Sequence, residues 1–339
     1  MKKTRTGILA ALATATALVL TSCAGGTTPA ADEEGPEEAV SITDVSIVVP
    51  ADPGGGWDQT GRAMSELLTG EKIVDSAPVT NVGGAGGTVG LAQLANQKDP
   101  NTLMVMGLVM VGAVETNASA VRIEDMTPIA RLTDEPLVVV VPADSKYDTL
   151  EDLVEDIVDK GQAITITGGS AGGADHILAG LMLEAAGLDG AEIAEKLNYT
   201  PNSGGGEATT LILGGKVAAG ISGVGEFLQH IEAGTMKALA VSSEKPVEQL
   251  PDVDTITDAG YDVVLTNWRG VIAPGGIDDA SRAELERIVT ELHDSEAWAA
   301  ELETRGWADA FLTGAEFDDF LTGNIEEVTA TLKNIGLVG

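Results

Sequence analysis

A strand, a glycine loop and a helix follow one another in one segment near the start of the folded chain, VSIVVPADPGGGWDQTGRAMSELL (residues 45–68). The apolar run at 45–50 predicts a buried strand, and the glycines at 54–56 allow the backbone to expose its amides. Asp58 can cap the helix predicted over residues 58–68. Because apolar runs and amphipathic stretches keep alternating, the segment predicts an α/β protein with mainly parallel sheets.

The same alternation continues to the end of the chain. Two connections, at residues 141–143 and 242–246, bracket a middle portion with its own strand–helix units. We therefore expect two lobes, residues 44–142 with 243–339 as lobe 1 and residues 143–242 as lobe 2, although periodicity alone is also compatible with one large sheet. Further strands are predicted at 103–106, 137–141, 163–167, 238–241 and 271–273, and further helices at 88–95, 174–186, 207–213 and 280–293.

Charge and composition exclude several classes of function. The 339 residues include 19 Lys and Arg against 53 Asp and Glu, a formal net charge of −34. Such a surface repels nucleic acid and anionic lipid head groups. The 44% of hydrophobic residues is enough for sizeable cores, so wholesale disorder is excluded. One cysteine and three histidines rule out an internal disulfide and disfavour a zinc site.

The N-terminus has the organisation of a bacterial secretory signal. Basic residues precede an apolar stretch at 7–20, which is too short for an ordinary spanning helix. Leu20-Thr21-Ser22-Cys23 resembles the lipobox of bacterial lipoproteins, so residues 1–22 are predicted to be removed and Cys23 lipidated. Residues 23–43 then form a disordered acidic tether at the outer face of the membrane, and the mature charge becomes −37. A plain secretory signal with a coincidental cysteine is the alternative.

Four glycine-rich segments lie at strand ends or before helices, at residues 53–58, 83–87, 168–173 and 202–206. Helix N-termini carry unpaired amides and a positive dipole end, so they can bind an anion without a basic side chain. Each loop alone can be a tight turn, but open α/β sheets place ligands at such ends. None fits a nucleotide fingerprint, because the third glycine and the Walker lysine are missing.

One of these loops also has the form of a hydrolase nucleophile elbow. Gly168-Gly169-Ser170-Ala171-Gly172 fits G-x-S-x-G between a strand and a helix. A serine hydrolase needs a histidine partner, and the chain offers only His176, His230 and His293. None is well placed in the predicted elements, so we expect no enzyme. The alternative remains testable, since Ser170→Ala would abolish ester turnover.

Two kinds of side chain are candidates for the cleft. Trp57 and Trp268 are flanked by glycine or strand-end loops, whereas Trp298 and Trp307 are expected in the core. Three arginines could be counter-charges for a bound carboxylate, although each could equally form a surface ion pair. They are Arg62, Arg131 and Arg269.

The ordered set of motifs from Val45 to the C-terminus resembles the substrate-binding proteins of tripartite tricarboxylate transporters, the Bug-type solute receptors. The resemblance rests on IVVP with GGGWD, on Asn81 with GAGG, and on residues 168–176. It continues through LGGKV (213–217), IEAGTMKALAV (231–241), and LPDV (250–253) with DAGY (258–261).

This resemblance implies a type II periplasmic-binding-protein fold, with two α/β lobes, two crossovers and a ligand clamped between the lobes. It implies that amides and hydroxyls of the glycine loops hold a carboxylate, with no cofactor and no metal. Two departures occur: Thr200-Pro201-Asn202 follows Tyr199 where the family often has Lys-Gly, and Asp254 replaces a common Pro. The implied ligand-binding residues are Gly55, Gly56, Trp57, Asp58, Ala85, Gly86, Ser170, Ala171, His176, Asn202, Ser203 and Gly204.

The resemblance therefore implies a membrane-tethered, monomeric receptor that captures a small carboxylate for the permease subunits of such a transporter. The GGGWD loop favours a tricarboxylate, while dicarboxylates, aromatic acids and amino acids remain open. A second alternative to transport is a sensor whose bound form docks to a membrane kinase.

Overall fold

The computed structural model describes residues 40–202 and 205–339. The signal sequence, Cys23 and most of the predicted tether lie outside these residues, as do Ser203 and Gly204. Ile42, which the sequence analysis assigned to the tether, is 4% exposed and packs in the core, and its N–H donates to Glu284 Oε1 (3.4 Å). The packed chain thus extends further toward the N-terminus than predicted. No helix among the described residues combines the length and the apolar character needed to cross a membrane.

The strands predicted from the sequence form with ends within two residues of expectation. Five further strands were not predicted. Among them, Thr127–Asp134 carries Pro and charged residues and Ala219–Gly223 is rich in glycine, so neither has the composition typical of a strand. The described strands are β1 Ser46–Val49, β2 Val79–Asn81, β3 Thr102–Gly107, β4 Thr127–Asp134, β5 Leu137–Pro142, β6 Thr165–Gly168, β7 Asn198–Pro201, β8 Ala219–Gly223, β9 Met236–Val241, β10 Arg269–Ala273 and β11 Ala308–Thr313.

Helices follow most strands and cover the sheets. The longer ones bury an apolar stripe. In the helix Asp279–His293, for example, Leu285, Ile288 and Leu292 are fully buried. The helices are α1 Gly56–Gly70, α2 Thr88–Leu94, α3 Leu108–Thr116, α4 Leu150–Lys160, α5 Ala174–Ala185, α6 Gly190–Lys196, α7 Gly205–Leu213, α8 Val224–Glu232, α9 Asp279–His293, α10 Glu296–Arg305 and α11 Gly314–Asn334.

The strands form two separate sheets. The first has the order β11-β4-β10-β3-β1-β2 and the second the order β7-β6-β8-β5-β9. We call the parts built on them the first and second lobes. Within each sheet the strands of the βαβ units pair in parallel, whereas β4, β5, β9, β10 and β11 pair only antiparallel. The expectation of mainly parallel sheets was therefore wrong, because strands next to the crossovers return against the βαβ direction.

The chain passes between the sheets twice, at adjacent places. Glu135 and Pro136 join β4 to β5, and residues 242–268 lead from β9 back to β10. The two passages touch, since Asn267 N–H donates to the Glu135 carbonyl (2.8 Å) and Pro136 bridges Thr266 in antiparallel fashion. This arrangement is the two-lobed α/β fold with two crossovers that the sequence predicted.

Sheet membership differs from the predicted lobe boundary at one strand. Leu137–Pro142, placed in lobe 1 by the sequence analysis, pairs with β8 and β9 in the second sheet. The sequence predicts the crossover at the Pro-containing connection at 141–143, but the chain crosses at Glu135 and Pro136. As domain bounds, residues 44–142 with 243–339 and residues 143–242 stay a prediction.

Candidate functional site

A cavity of about 80 Å³ lies where loops of the two lobes meet at the crossovers. The first lobe contributes loops that follow β1 and β2, and the second lobe contributes loops that follow β6 and β8. The lining residues are Pro50, Ala51, Gly55, Gly56, Trp57, Gly84, Ala85, Gly86, Gly87, Val109, Gly169, Ser170, Asp175, Ser222, Glu226, Asn267 and Arg269. Six of the residues named by the sequence are thus together: Gly55, Gly56, Trp57, Ala85, Gly86 and Ser170.

Asp58 holds the first glycine loop in place but does not itself line the cavity. Its carboxylate accepts hydrogen bonds from the Gly54 N–H (2.9 Å), Arg62 Nε (2.9 Å) and Asn81 Nδ2 (2.9 Å). Burial acts to raise the pKa of Asp58, but the bonds from Arg62 and Asn81 bring it below its usual value. A fixed charge thus holds the loop so that Gly55 to Trp57 face the cavity.

The second glycine loop lets the lobes approach closely. Gly86 has a φ of +62°, and a Cβ there would lie 2.4 Å from Ala113 Cβ and 3.3 Å from Ser170 Cβ. Ala85 also has a positive φ, of +49°, and its carbonyl accepts from Asn117 Nδ2 (3.0 Å). A side chain at Gly86 would therefore separate this loop from Ser170 across the cavity.

Asp175 is the acid nearest the third glycine loop, and sequence reasoning missed it as a site residue. It is 7% exposed, and its Oδ2 accepts from the Gly169 N–H (2.5 Å). Burial raises the pKa of Asp175 to about 7. An acid in the first turn of a helix after a glycine loop, as at Asp58, is the signal that could have identified it.

Three other site residues predicted in the second lobe lie outside the main cavity: Ala171, His176 and Asn202. Ala171 and Asn202 line a shallower depression that shares Ala85, Gly86 and Ser170 with it. Asn202 Nδ2 donates hydrogen bonds to the Thr167 hydroxyl (2.7 Å) and the Gly168 carbonyl (2.7 Å).

His176 supports the loop and faces away from the cavity. Its ring stacks on Tyr199 with centroids 4.1 Å apart, and Nδ1 accepts from the Gly172 N–H (3.1 Å). Burial lowers the pKa of His176 to about 4, so the ring is neutral at pH 7. Within the described residues no hydrogen bond joins Ser170 to a histidine, and the geometry gives the hydrolase alternative no support.

A buried ion pair at the crossovers includes one residue of the cavity wall, Arg269. Arg269 Nη2 donates to Glu135 Oε2, and each residue is 1% exposed. The other oxygen of Glu135 accepts from the Gly225 N–H (3.1 Å). The sequence analysis named Arg269 as one of three possible counter-charges for the ligand. It did not identify Glu135 as the partner of Arg269, because the two residues are 134 positions apart and no local sequence pattern relates them.

Glu226 connects the two lobes across this wall. Its Oε1 accepts from the Gly56 N–H (3.2 Å), and its Oε2 accepts from the Ser222 hydroxyl (3.1 Å). Burial and the nearby charge of Glu135 raise the pKa of Glu226, and Arg269 opposes the shift. A backbone amide of the first glycine loop is therefore held by a carboxylate of the second lobe.

Several buried polar atoms of the cavity wall have no hydrogen-bond partner among the described residues. They are Trp57 Nε1, Arg269 Nε and Nη1, and Asn267 Oδ1. Three of these four atoms are donors, and an unpaired buried donor costs about 1–3 kcal/mol. An acceptor such as a carboxylate that reached these donors would offset that cost.

The other cleft candidates lie elsewhere. Trp268 is 3% exposed, packs against Phe317 and Phe320, and donates to Asn324 Oδ1 (2.9 Å). It lines a second cavity, with Ile177 and Leu181 of α5, and not the main one. Arg62 pairs with Asp58 and Arg131 with Asp134, outside the main cavity.

We expect the burial of Asp175 to appear in the pH dependence of stability. Its carboxyl ionises near pH 3.8 in an unfolded chain and near 7 in the folded protein, so the stability it contributes is lost as pH rises through 7. Asp175→Asn should gain stability over the wild type between pH 4 and 7, with a slope of at most about 1.4 kcal/mol per pH unit. Urea unfolding at pH 4.5–8 measures the difference.

The matched control is Asp189→Asn, at the exposed N-cap of α6. The difference in the free energy of unfolding between Asp189→Asn and the wild type should be the same throughout pH 5–8. The groups that face Asp175 remain in every variant: Glu226, Glu135, Arg269 and Tyr199. A constant difference between Asp175→Asn and the wild type would contradict the raised pKa.

Two α/β lobes, adjacent crossovers and a polar cavity between them define a two-lobed solute-binding protein. The chain belongs to the tripartite tricarboxylate transporter family receptors, whose model matches residues 59–337. Membership in this receptor family makes it an extracytoplasmic solute-binding protein.

Relatives span most of the chain. Protein BugT of Bordetella pertussis is 26% identical over 302 residues, covering 86% of this chain and 89% of its own. A protein from the TAR-I ttuE-ttuC' intergenic region of Agrobacterium vitis is 29% identical over 310 residues, with 88% and 86% covered. The periplasmic binding protein BugD superimposes with a TM-score of 0.75 at 23% identity, over 87% of this chain and 98% of its own.

Proposed function

We propose that this protein captures a small carboxylate outside the cytoplasmic membrane and delivers it to the permease subunits of a tripartite tricarboxylate-type transporter. The observation that carries the proposal is the cavity between the lobes. On two of its lining residues, Trp57 Nε1 and Arg269 Nε and Nη1 have no hydrogen-bond partner in the part of the chain that the structure describes. A carboxylate would satisfy these donors at once and would join the lobes, so its contacts would stabilise the closed form.

Solved relatives of the same fold add support on ligand class. MatC of Rhodopseudomonas palustris was solved with malate (TM-score 0.73, 20% identity, 85% of this chain and 98% of its own covered). Another R. palustris protein was solved with adipate (TM-score 0.77, 20% identity, 86% and 97% covered). Both ligands are small carboxylates with fewer than three carboxyl groups.

The charge of the cavity disfavours the tricarboxylate that the GGGWD loop suggested. Asp175 and Glu226 both line the cavity, and the single arginine there is already paired with Glu135. Each additional ligand carboxylate would be placed near buried acids, where the low dielectric strengthens repulsion. We therefore rank mono- and dicarboxylates above tricarboxylates.

Lipidation of Cys23 completes the proposal on location. The acyl chains would hold the receptor at the outer face of the membrane, near its permease, while the body remains a monomer. Detergent phase partitioning tests the anchor, since Cys23→Ser should move the protein to the aqueous phase. Co-purification with a membrane kinase in place of a permease would favour the sensing alternative.

Ligand binding should change the fluorescence of Trp57. This indole is 7% exposed and belongs to a residue that lines the cavity, and its Nε1 has no hydrogen-bond partner among residues 40–202 and 205–339. We expect a carboxylate panel to give a saturable change in emission that Trp57→Phe removes and Trp268→Phe retains. Failure of the whole panel to shift either fluorescence or the melting temperature would contradict the receptor function.

A further inference from the structure

The second cavity, of about 410 Å³, lies between α11, α5 and the second crossover (residues 242–268). It is larger than the main cavity and falls within the range of about 300–1,000 Å³ that is usual for small-molecule sites. One face of α11 lines it with residues 320, 324, 327, 328 and 331, and α5 contributes Ile177 and Leu181, one helical turn apart. None of the described residues lines both cavities.

The walls of the second cavity are mainly apolar. Two of its lining residues, Trp268 and Phe320, pack edge to face with ring centroids 5.2 Å apart, and several aliphatic residues line it as well. Val264 also lines it and is 47% exposed, one of three large apolar side chains left exposed among the described residues. Such walls favour the apolar body of a small organic molecule, which would remove this surface from water.

The charges of the second cavity indicate which head group such a molecule would carry. Two exposed acids line it, Asp262 on the crossover and Glu327 on α11, and neither has an ion pair or a hydrogen bond in the described part of the chain. The one lining cation, Arg131, pairs with Asp134 (2.5 Å) and lies over the Phe320 ring, 4.3 Å from its centroid. A cation on the occupant would therefore find two unpaired acids, and an anion would find none of the opposite charge left unpaired.

We propose that the second cavity binds a small organic ammonium with an apolar body, such as an arylalkylamine. The apolar body would lie among the rings and aliphatic side chains of the walls, and the ammonium would pair with Asp262 and Glu327. The site is separate from the main cavity and does not depend on what binds there.

The second cavity is built from both lobes. α11 begins directly after β11 of the first sheet, and the chain at its end reaches the second lobe, where a Cβ at Gly180 of α5 would lie 2.7 Å from Ile335 Cδ1. A Cβ at Gly190 of α6 would lie 2.5 Å from the Asn334 carbonyl oxygen. An opening of the lobes must therefore move α11 against α5 or against its own sheet, and either motion changes the shape of the cavity.

An occupant of the second cavity would thus favour the arrangement of the lobes that the structure shows. In this arrangement the lobes touch across the main cavity, where Glu226 Oε1 accepts from the Gly56 N–H (3.2 Å). A molecule that contacts both α5 and α11 binds this arrangement better than an opened one, so it should strengthen binding in the main cavity, and the reverse. This coupling rests on the proposed receptor function, whereas the ammonium site does not.

Three ligands of similar shape and different head group test the site: phenethylamine, 2-phenylethanol and phenylacetate. Calorimetry with the full chain at pH 7 measures each affinity, and emission of Trp268 in the Trp57→Phe protein reports on the second cavity. We expect the amine to bind about 5- to 10-fold more tightly than the alcohol, as one or two exposed ion pairs allow, and the preference to shrink with added salt. Phenylacetate should leave the Trp268 emission unchanged.

Three variants and a control locate the amine. Asp262→Asn with Glu327→Gln should reduce the affinity for the amine to that for the alcohol, while the alcohol binds as before. Glu326→Gln, at an exposed position of α11 that does not line the cavity, should leave the preference unchanged. Leu181→Trp places a larger side chain in the cavity and should abolish binding of both ligands. Circular dichroism confirms that each variant is folded.

The outcomes separate the site, the coupling and the receptor function. Equal affinity for amine and alcohol, or an amine preference that survives removal of both acids, would overturn the ammonium site. With saturating phenethylamine, a carboxylate that binds the wild type should bind about fivefold more tightly, and unchanged or weaker binding would overturn the coupling. If the amine binds as expected and no carboxylate binds at all, the proposed receptor function falls and the ammonium site stands.

Discussion

Replacing Arg269 with alanine is expected to lower the free energy of unfolding by about 3–5 kcal/mol, the usual cost of removing one partner of a buried ion pair. Arg269 and Glu135 are each 1% exposed, so the substitution would leave the Glu135 charge buried, with the Gly225 amide as the one remaining donor to the carboxylate among the described residues. It would also remove the guanidinium that lies 5.3 Å from the Trp307 ring centroid. Chemical denaturation at pH 7 measures the loss.

Two variants serve as controls for this prediction. Arg62→Ala removes an arginine whose side chain is 54% exposed, and we expect little change in stability. The double replacement Glu135→Gln with Arg269→Met removes both charges and should recover much of the stability lost in Arg269→Ala. An Arg269→Ala protein as stable as the wild type would show that the pair does not hold the crossovers.

Adding a single methyl group at Gly56 should weaken carboxylate binding by about 100-fold, the equivalent of one or two charge-assisted hydrogen bonds. A Cβ at this position would lie 2.2 Å from Arg269 Nη2 and 2.7 Å from its Cζ. The guanidinium is held by Glu135 and cannot move aside without breaking the pair. Either the arginine or the start of α1 must shift, and both line the cavity.

Gly70→Ala provides the control at the other end of the same helix. A Cβ there meets nothing within 4 Å, so alanine should leave binding unchanged and stabilise α1 slightly. Titration of both variants with the carboxylate that binds the wild type gives the comparison. Wild-type affinity in Gly56→Ala would mean that Arg269 takes no part in holding the ligand.

Sequence alone was sufficient for the framework of the site because its signals are local. The run at 45–50, the glycines after it and the helix that begins near Asp58 all follow from periodicity and capping. The same reasoning found the loops at 83–87 and 168–173. Six of their residues line the cavity: Gly84, Ala85, Gly86, Gly87, Gly169 and Ser170.

The chemistry of the cavity wall depends on residues that only the fold brings together. Glu135 and Arg269 are far apart in sequence, and they meet because the two crossovers run side by side. Asp175 and Glu226 appear in the sequence as ordinary first-turn acids of helices. Their importance follows from burial against each other and against Glu135, which no local pattern encodes.

The adjacent crossovers also determine how the lobes can move. Because Asn267 bonds to Glu135 and Pro136 bridges Thr266, the connection is a two-stranded ribbon, which bends about one axis and resists independent twisting of its strands. We expect the two lobes to open by rotation about one axis, so that a single distance between the lobes is enough to follow the opening. Dyes at two exposed apolar positions, Val89 on α2 and Leu213 on α7, would convert that distance into an optical signal and the receptor into a sensor for its ligand.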